Sequence, residues 1–353
     1  MKLSQFKFKL PESQIAQRPV EHRDESRLLV FHKKSGLVEH RSFINILDYF
    51  DERDLFVMND AKVFPAVLYG NKEKTNAKIE VTLLRELTEQ QRFWDVLVEP
   101  ARKIRVGNKL YFGEDNSMVA EVIDNTTSRG RTIRFLYDGA HEDFVKELMQ
   151  LGRTPLPEYI MRENGSDADD TERYQTIYAA KEGAVVAPAA GLHFSRELMK
   201  LLEIKGVDTS FLTLYCSLTM FKDVDVEDLT KYKMDSEQME VHEDCVKLFN
   251  ERYAEGRKIC AVGTSTLRAL ETASTADGVI RPYDGWTYKF IFPPYQFSTA
   301  NCLLSNFHLS QSTMLMIVAS FGGYEKVMEI YNMAVKEGYR FGAYGDSMLI
   351  LND

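Results

Sequence analysis

Only four cysteines are spread along these 353 residues, Cys216, Cys245, Cys260 and Cys302, and no two form a C-x-x-C pair. That pattern excludes a disulfide framework and a structural zinc site of the usual spacing, and it fits a reducing compartment. No apolar run reaches the roughly 18 to 20 residues that span a bilayer. The opening stretch MKLSQFKFKLPESQ has no apolar signal-peptide core, so the cytoplasm is the expected location. There is no G-x-G-x-x-G, no G-x-x-x-x-G-K-[ST], no H-E-x-x-H and no G-x-S-x-G. The usual signatures of dinucleotide binding, phosphate loops, zinc hydrolysis and the hydrolase elbow are therefore missing. Excess positive charge is missing too. The net charge of −9 speaks against a general nucleic-acid binder, whose affinity comes from neutralising phosphates. Local basic clusters remain: ARKIRVGNK carries Arg102, Lys103, Arg105 and Lys109, and SRGRTIR carries Arg129, Arg131 and Arg134. Each is either a solvated strand face or a docking surface for a polyanion.

What is present is an ordinary globular composition, with hydrophobic residues at 44% and charged residues at 27%, in a chain long enough for two domains. SRLLVFHKKSGLVEHRSF reads as a hairpin turning at Lys34–Gly36, INILDYF as helical, and DLFVMND as a strand. Residues 61–140 are short β-rich runs broken by Gly, Asn and Asp, the pattern of a small barrel or sandwich. After residue 141 helices and strands alternate. HEDFVKELMQLG has helical apolar spacing, Ser195 caps a helix ending at Gly206, and KICAVGTSTLRALETA reads as strand, tight turn, helix. The expected fold is α/β in two domains. A larger α/β domain of residues 1–60 and 141–353 is interrupted by a small β domain inserted at 61–140.

Chemistry gathers at junctions between elements. AVGTSTLR sets Gly263, Thr264 and Ser265 between a strand and a helix, where glycine admits close approach and free N–H groups attract an anion. Arg268 lies one turn on and can clamp the same anion, or it is a surface arginine beside an ordinary cap. SNFHLSQST sets Asn306 and His308 before an apolar helix, and GAVVAPAAGLHF sets His193 behind a run of small residues. A lone histidine in an apolar setting is usually a hydrogen-bonded core residue. Two of them at element ends favour a site. Asp346 precedes an apolar strand and needs a partner. Asp235 and Glu237 precede another strand, and each is a base or a cap. Arg27 begins a strand and is placed to answer one of these acids.

Taken together, the segments resemble the S-adenosylmethionine:tRNA ribosyltransferase-isomerases of queuosine biosynthesis. The carriers are DESRLLV, PLPEYI, RYQTIY, GAVVAPAAGLHF, DSEQ, AVGTSTLRALE, SNFHLSQSTMLM and GYRFGAYGDSM, in that order along the whole chain. The resemblance implies an α/β domain interrupted by a barrel. It implies S-adenosylmethionine as ribosyl donor, and tRNA with 7-aminomethyl-7-deazaguanine at the wobble position as acceptor. The products are epoxyqueuosine-tRNA, adenine and methionine. Because a sulfonium acidifies the adjacent C5′ protons, no metal or resident cofactor is expected. On this reading His193, His308, Asp346 and Glu237 are candidate proton carriers. Arg27, Asp60, Ala189, Gly191, Tyr215, Gly263, Thr264, Ser265, Arg268, Asn306 and Tyr344 line the substrate. Arg102, Lys103, Arg105, Lys109, Arg129 and Arg131 face the tRNA. A monomer with no membrane association is expected.

The sequence departs from the family pattern inside the motifs. Ala189 stands for a usual threonine, Ala61 for another, and Val67 for a usual arginine. Tyr215, Ser217 and Thr219 replace the histidine and two glycines of LH-x-G-x-G-x-F, and Ser310 replaces a proline. Three readings follow: the family enzyme, a paralogue with an altered acceptor, or a tRNA-binding module without turnover.

Overall fold

The computed structural model describes residues 1–163, 165–217 and 223–353. Its strands, in chain order, are β1 Arg27–His32, β2 Val38–Ser42, β3 Leu55–Asn59, β4 Ala61–Val63, β5 Val67–Lys72, β6 Lys78–Thr88, β7 Phe93–Glu99, β8 Lys109–Phe112, β9 Met118–Asn125, β10 Gly130–Phe135, β11 Lys181–Ala184, β12 Asp208–Leu214, β13 Glu237–Val241, β14 Ile259–Val262, β15 Tyr283–Thr287, β16 Cys302–Asn306 and β17 Ser347–Leu351. The helices are α1 His141–Leu151, α2 Ala168–Arg173, α3 Arg196–Lys205, α4 Glu243–Ala254, α5 Thr264–Ala273, α6 Thr313–Gly322 and α7 Tyr324–Lys336.

Two compact units divide the chain. The first comprises residues 1–62, 157–161 and 175–353, and the second residues 63–156 and 162–174. The second unit thus runs past residue 140, the end of the expected barrel insertion, through α1 and takes in α2.

The first unit is built on a nine-stranded sheet ordered β15-β13-β12-β3-β14-β16-β17-β1-β2. The strands β12, β3, β14 and β16 run parallel to one another, while β17 is antiparallel to β16 and β13 to β12. Strands covered on both faces need apolar side chains on both, which is why LFVMN, ICAV, CLLSN and SMLIL are buried throughout without polar alternation. Successive β3 side chains alternate between two cores. Leu55 and Val57 join one, and Phe56 and Met58 join the other. The expected hairpin forms between β1 and β2. Most of INILDYF falls in a 3-10 helix, Phe43–Tyr49, whose i, i+3 pair Phe43 and Ile46 is buried together. Ser195 caps α3, its Oγ accepting from the Leu198 N–H at 3.0 Å.

The second unit holds a closed barrel in the order β10-β7-β6-β5-β8-β9. Period-two alternation fills it: in β7, Trp94, Val96 and Val98 are buried between more exposed neighbours. Closure removes the free sheet edges that short β runs would otherwise present.

Candidate active site

Sheet topology brings the distant segments of the first unit together. The carboxyl ends of β12, β3, β14 and β16 reach one edge. Antiparallel pairing sets the start of β17 beside the end of β16, Ser347 against Asn306, and the start of β13 beside the end of β12. The strand β1 is parallel to β17, so it also starts there. Tyr215, Asp60, Gly263, Asn306, His308, Glu237, Asp346 and Arg27 therefore share that edge. The chain moves from β3 to β12 on one side and from β14 to β16 on the other. Ligands of open α/β sheets bind at such a reversal, here between the ends of β3 and β14.

Gly263 follows β14 with φ +99, a conformation that L side chains rarely adopt, and starts α5. A Cβ on it would lie 3.7 Å from Ala190, in the 3-10 turn Ala189–His193. Thr264 and Ser265 are buried beside it. Within the 3-10 turn Ala189 is half-buried, while Gly191 is closed in by a tyrosine hydroxyl 2.1 Å from where its Cβ would stand.

His193 is fully engaged. Its Nδ1 lies 2.7 Å from Ser26 Oγ, its Nε2 3.2 Å from Asn306 Oδ1, and Phe43 stacks on the ring. Asn306 Nδ2 donates to the Gly342 and Ala343 carbonyls, so its Oδ1 accepts from His193 Nε2–H. Burial lowers the imidazole pKa to about 4. His193 is a neutral tether between β16 and the small-residue turn.

Three expectations are corrected. The Arg27 guanidinium does not answer Asp346. It stacks on Tyr339 at 3.6 Å and donates to the Glu337 carbonyl. Asp346 instead accepts the backbone N–H groups of Arg27 at 3.0 Å and Arg340 at 2.8 Å, one on each oxygen, and so clamps two segments. Arg268 is not open to the edge, and Glu237 is not a free base. Their side chains form an ion pair, 2% and 1% exposed, and Glu237 also accepts from the Ser217 N–H at 2.7 Å.

His308 stands apart. It is half-buried, and its Nε2 lies 2.8 Å from Ser305 Oγ. The Ser305 hydroxyl donates to the Asn306 carbonyl, so Oγ accepts from Nε2–H. Nδ1 keeps its lone pair, with no partner among the described residues. Burial lowers this pKa to about 3, leaving a neutral ring at physiological pH. Asp60 accepts from Thr213 Oγ1 at 2.6 Å, and burial raises its pKa. Tyr215 packs over Gly183 and donates to Glu240 at 3.2 Å, and Tyr344 is buried. Among the departures, Ala61 and Val67 are buried, Ser310 Oγ accepts from the Phe8 N–H at 3.1 Å, and Thr219 lies outside the described residues.

In the barrel unit, Arg102, Lys103 and Arg105 are exposed, Lys109 is half-buried, and Arg129 lies 3.6 Å from Glu99. Arg131 is not a surface residue. It is 6% exposed and donates to the carbonyls of Ala101, Ile104, Thr127 and Gly130. The loop that displays Arg102, Lys103 and Arg105 hangs on this guanidinium.

Sequence reasoning passed over Thr176 and Tyr178, although both sit in the quoted segment RYQTIY. Their hydroxyl oxygens are buried and make no hydrogen bond among the described residues. Both side chains pack against Gly191. The i, i+2 spacing of two hydroxyl residues was the available signal.

Fold and site define an enzyme of the α/β class whose polar groups gather at the carboxyl edge of the sheet. The family described as queuosine biosynthesis protein matches residues 3–350, and the chain belongs to it. It is 64% identical over 352 residues to the S-adenosylmethionine:tRNA ribosyltransferase-isomerase of Phocaeicola vulgatus and 63% identical to that of Bacteroides fragilis, covering 100% of both chains in each case. A crystal structure of S-adenosylmethionine tRNA ribosyltransferase from Thermotoga maritima superposes with a TM-score of 0.56 at 33% identity, covering 99% of this chain and 100% of that one.

Proposed function

We propose that this chain is an S-adenosylmethionine:tRNA ribosyltransferase-isomerase acting on tRNA whose wobble base is 7-aminomethyl-7-deazaguanine. The observation that carries the reading is similarity along the entire length, at 63–64% identity, to relatives bearing that name. The departures at Ala189 and Tyr215 sit within that similarity and give no separate support to a redirected or inactive protein. The reaction removes a C5′ proton activated by the sulfonium. Adenine leaves as the ribose ring opens, the base's amine bonds to the ribose-derived carbon skeleton, and methionine departs as the epoxide closes.

The geometry distributes the roles. Of the four candidate proton carriers, His193, Asp346 and Glu237 have their polar atoms committed within the protein. Among the four, His308 alone keeps a nitrogen lone pair with no partner among the described residues, so it is the proton carrier on this reading. The N–H groups at Gly263–Ser265 hold an anionic group, the methionine carboxylate or a tRNA phosphate. Asp60, Tyr215, Asn306 and Tyr344 shape the surroundings, and Arg102, Lys103 and Arg105 meet the tRNA. Four buried free cysteines suit a reducing cytoplasm, and no helix among the described residues is long and apolar enough to cross a membrane.

The test is adenine release from S-adenosylmethionine, followed by chromatography with and without precursor tRNA. Adenine appears in step with modified tRNA. Silence with a verified precursor tRNA refutes the reading. His308→Gln keeps the donor to Ser305 and removes the ring lone pair, so kcat falls by about 10²- to 10⁴-fold while substrate binding holds.

A further inference from the structure

Two adjacent hydroxyl groups of the first unit make no hydrogen bond among the described residues. Thr176 is 4% exposed with its Oγ1 buried and unbonded, and Tyr178 Oη is likewise buried and unbonded. Burying a hydroxyl without a partner costs about 1 to 3 kcal/mol, so a fold has no reason of its own to keep two side by side. They are neighbours. Tyr178 Oη stands 2.1 Å and Thr176 Cγ2 2.8 Å from the position a Cβ would take on Gly191. Gly191 lies in the 3-10 turn whose Ala190 faces the start of α5 at Gly263. The charges that act on the Tyr178 hydroxyl are those of Asp60 and Arg23. Arg23 is tied back to the Leu192 carbonyl at 3.1 Å. Asp60 has one carboxylate oxygen on Thr213. The Tyr178 hydroxyl and the Thr176 side chain thus pack together against one glycine, and the Asp60 carboxylate at the end of β3 acts electrostatically on the tyrosine.

We propose that Thr176, Tyr178 and Asp60 hold the ribose hydroxyls of S-adenosylmethionine. A cis-diol presents two donors and several lone pairs at short spacing, which one carboxylate oxygen and two hydroxyls satisfy together. A carboxylate at the end of a parallel strand is a common ribose anchor in α/β folds. Gly191 is required because any side chain there would displace the tyrosine hydroxyl. The assignment rests on the function proposed above and deepens it, because the ribose is the group transferred. Holding its hydroxyls controls which face of the opened sugar meets the amine.

The test uses the full chain, Tyr178→Phe and Thr176→Val. Calorimetry measures S-adenosylmethionine binding without tRNA, alongside its 2′-deoxy and 3′-deoxy ribose counterparts. Each variant loses a hydroxyl that makes no bond in the free protein, so the Tm of the free chain stays level or rises. The Kd for S-adenosylmethionine rises about 3- to 10-fold, the loss of one neutral hydrogen bond. The wild-type preference for S-adenosylmethionine over at least one deoxy counterpart shrinks by a similar factor. Wild-type affinity and unchanged ribose discrimination in both variants overturn the proposal and leave the enzymatic function standing. A lowered Tm of the free chain with unchanged Kd also overturns it, since the hydroxyls then serve the fold. A wild-type chain that neither binds S-adenosylmethionine nor releases adenine with precursor tRNA removes the function itself.

Discussion

Removing the charge of Glu237 tests whether the pair with Arg268 is a matched unit inside the fold. Both side chains are nearly inaccessible, and the other contact of the guanidinium is Met234 Sδ at 3.4 Å. Glu237→Gln keeps an oxygen to accept the Ser217 N–H and removes only the charge. The guanidinium is then a buried cation without a counter-ion, and breaking such a pair costs about 3 to 5 kcal/mol. Arg268→Met leaves a buried carboxylate instead, which escapes by taking up a proton, so its cost is smaller at pH 5 than at pH 8. The double variant removes both charges and recovers most of the loss, a coupling of about 3 kcal/mol by the same reasoning. Native-state hydrogen exchange of β12, β13 and α5 amides reads the local stability without assuming that two compact units unfold together. Single losses under about 1 kcal/mol that simply add in the double variant would refute the reasoning, because the two charges would then be solvated independently.

Two further outcomes follow. His193 has an ordinary pKa of 6.5 when exposed and one of about 4 in the fold. The unfolded chain binds the proton first, so this contribution is complete above pH 6.5 and falls as pH drops toward 4. Between pH 7 and pH 5 the loss is about 2 kcal/mol, read as the difference between urea-unfolding profiles of wild type and His193→Asn across that range; parallel profiles contradict it. Arg131→Met removes the donors from the Ala101 and Ile104 carbonyls, costs the barrel unit about 2 to 4 kcal/mol, and raises hydrogen exchange in residues 101–108. Unchanged protection there would show that the loop does not depend on the guanidinium.

Much of the architecture was legible because it is written locally. Short β-rich runs between Gly and Asn turns announced a barrel or sandwich, and Ser195 and Gly206 marked the ends of α3. The strands after residue 200 showed as short apolar runs. The 3-10 form of INILDYF was less legible, because Phe43 and Ile46 suit an α-helix or a 3-10 helix and the neighbouring core decides. The motif segments come together at one edge of the sheet. Their side-chain roles were harder to read. Arg131 in SRGRTIR looks like its exposed neighbours, since nothing within the hairpin shows that carbonyls 27 and 30 residues earlier fold back onto it.

By itself the sequence determined the kinds of element, the family and the chemistry available: which residues can carry a proton, accept a hydroxyl or admit close backbone approach. Those are properties of single side chains and short spacings. Only the tertiary structure decided which of them are free. Asp346, Glu237 and His193 each spend their polar atoms on partners 6 to 319 residues away, as buried polar groups must. Among the described residues, His308 keeps a lone pair without a partner, and Thr176 and Tyr178 keep unbonded hydroxyls. Pairing across a sheet depends on register between distant strands, and no local pattern encodes that.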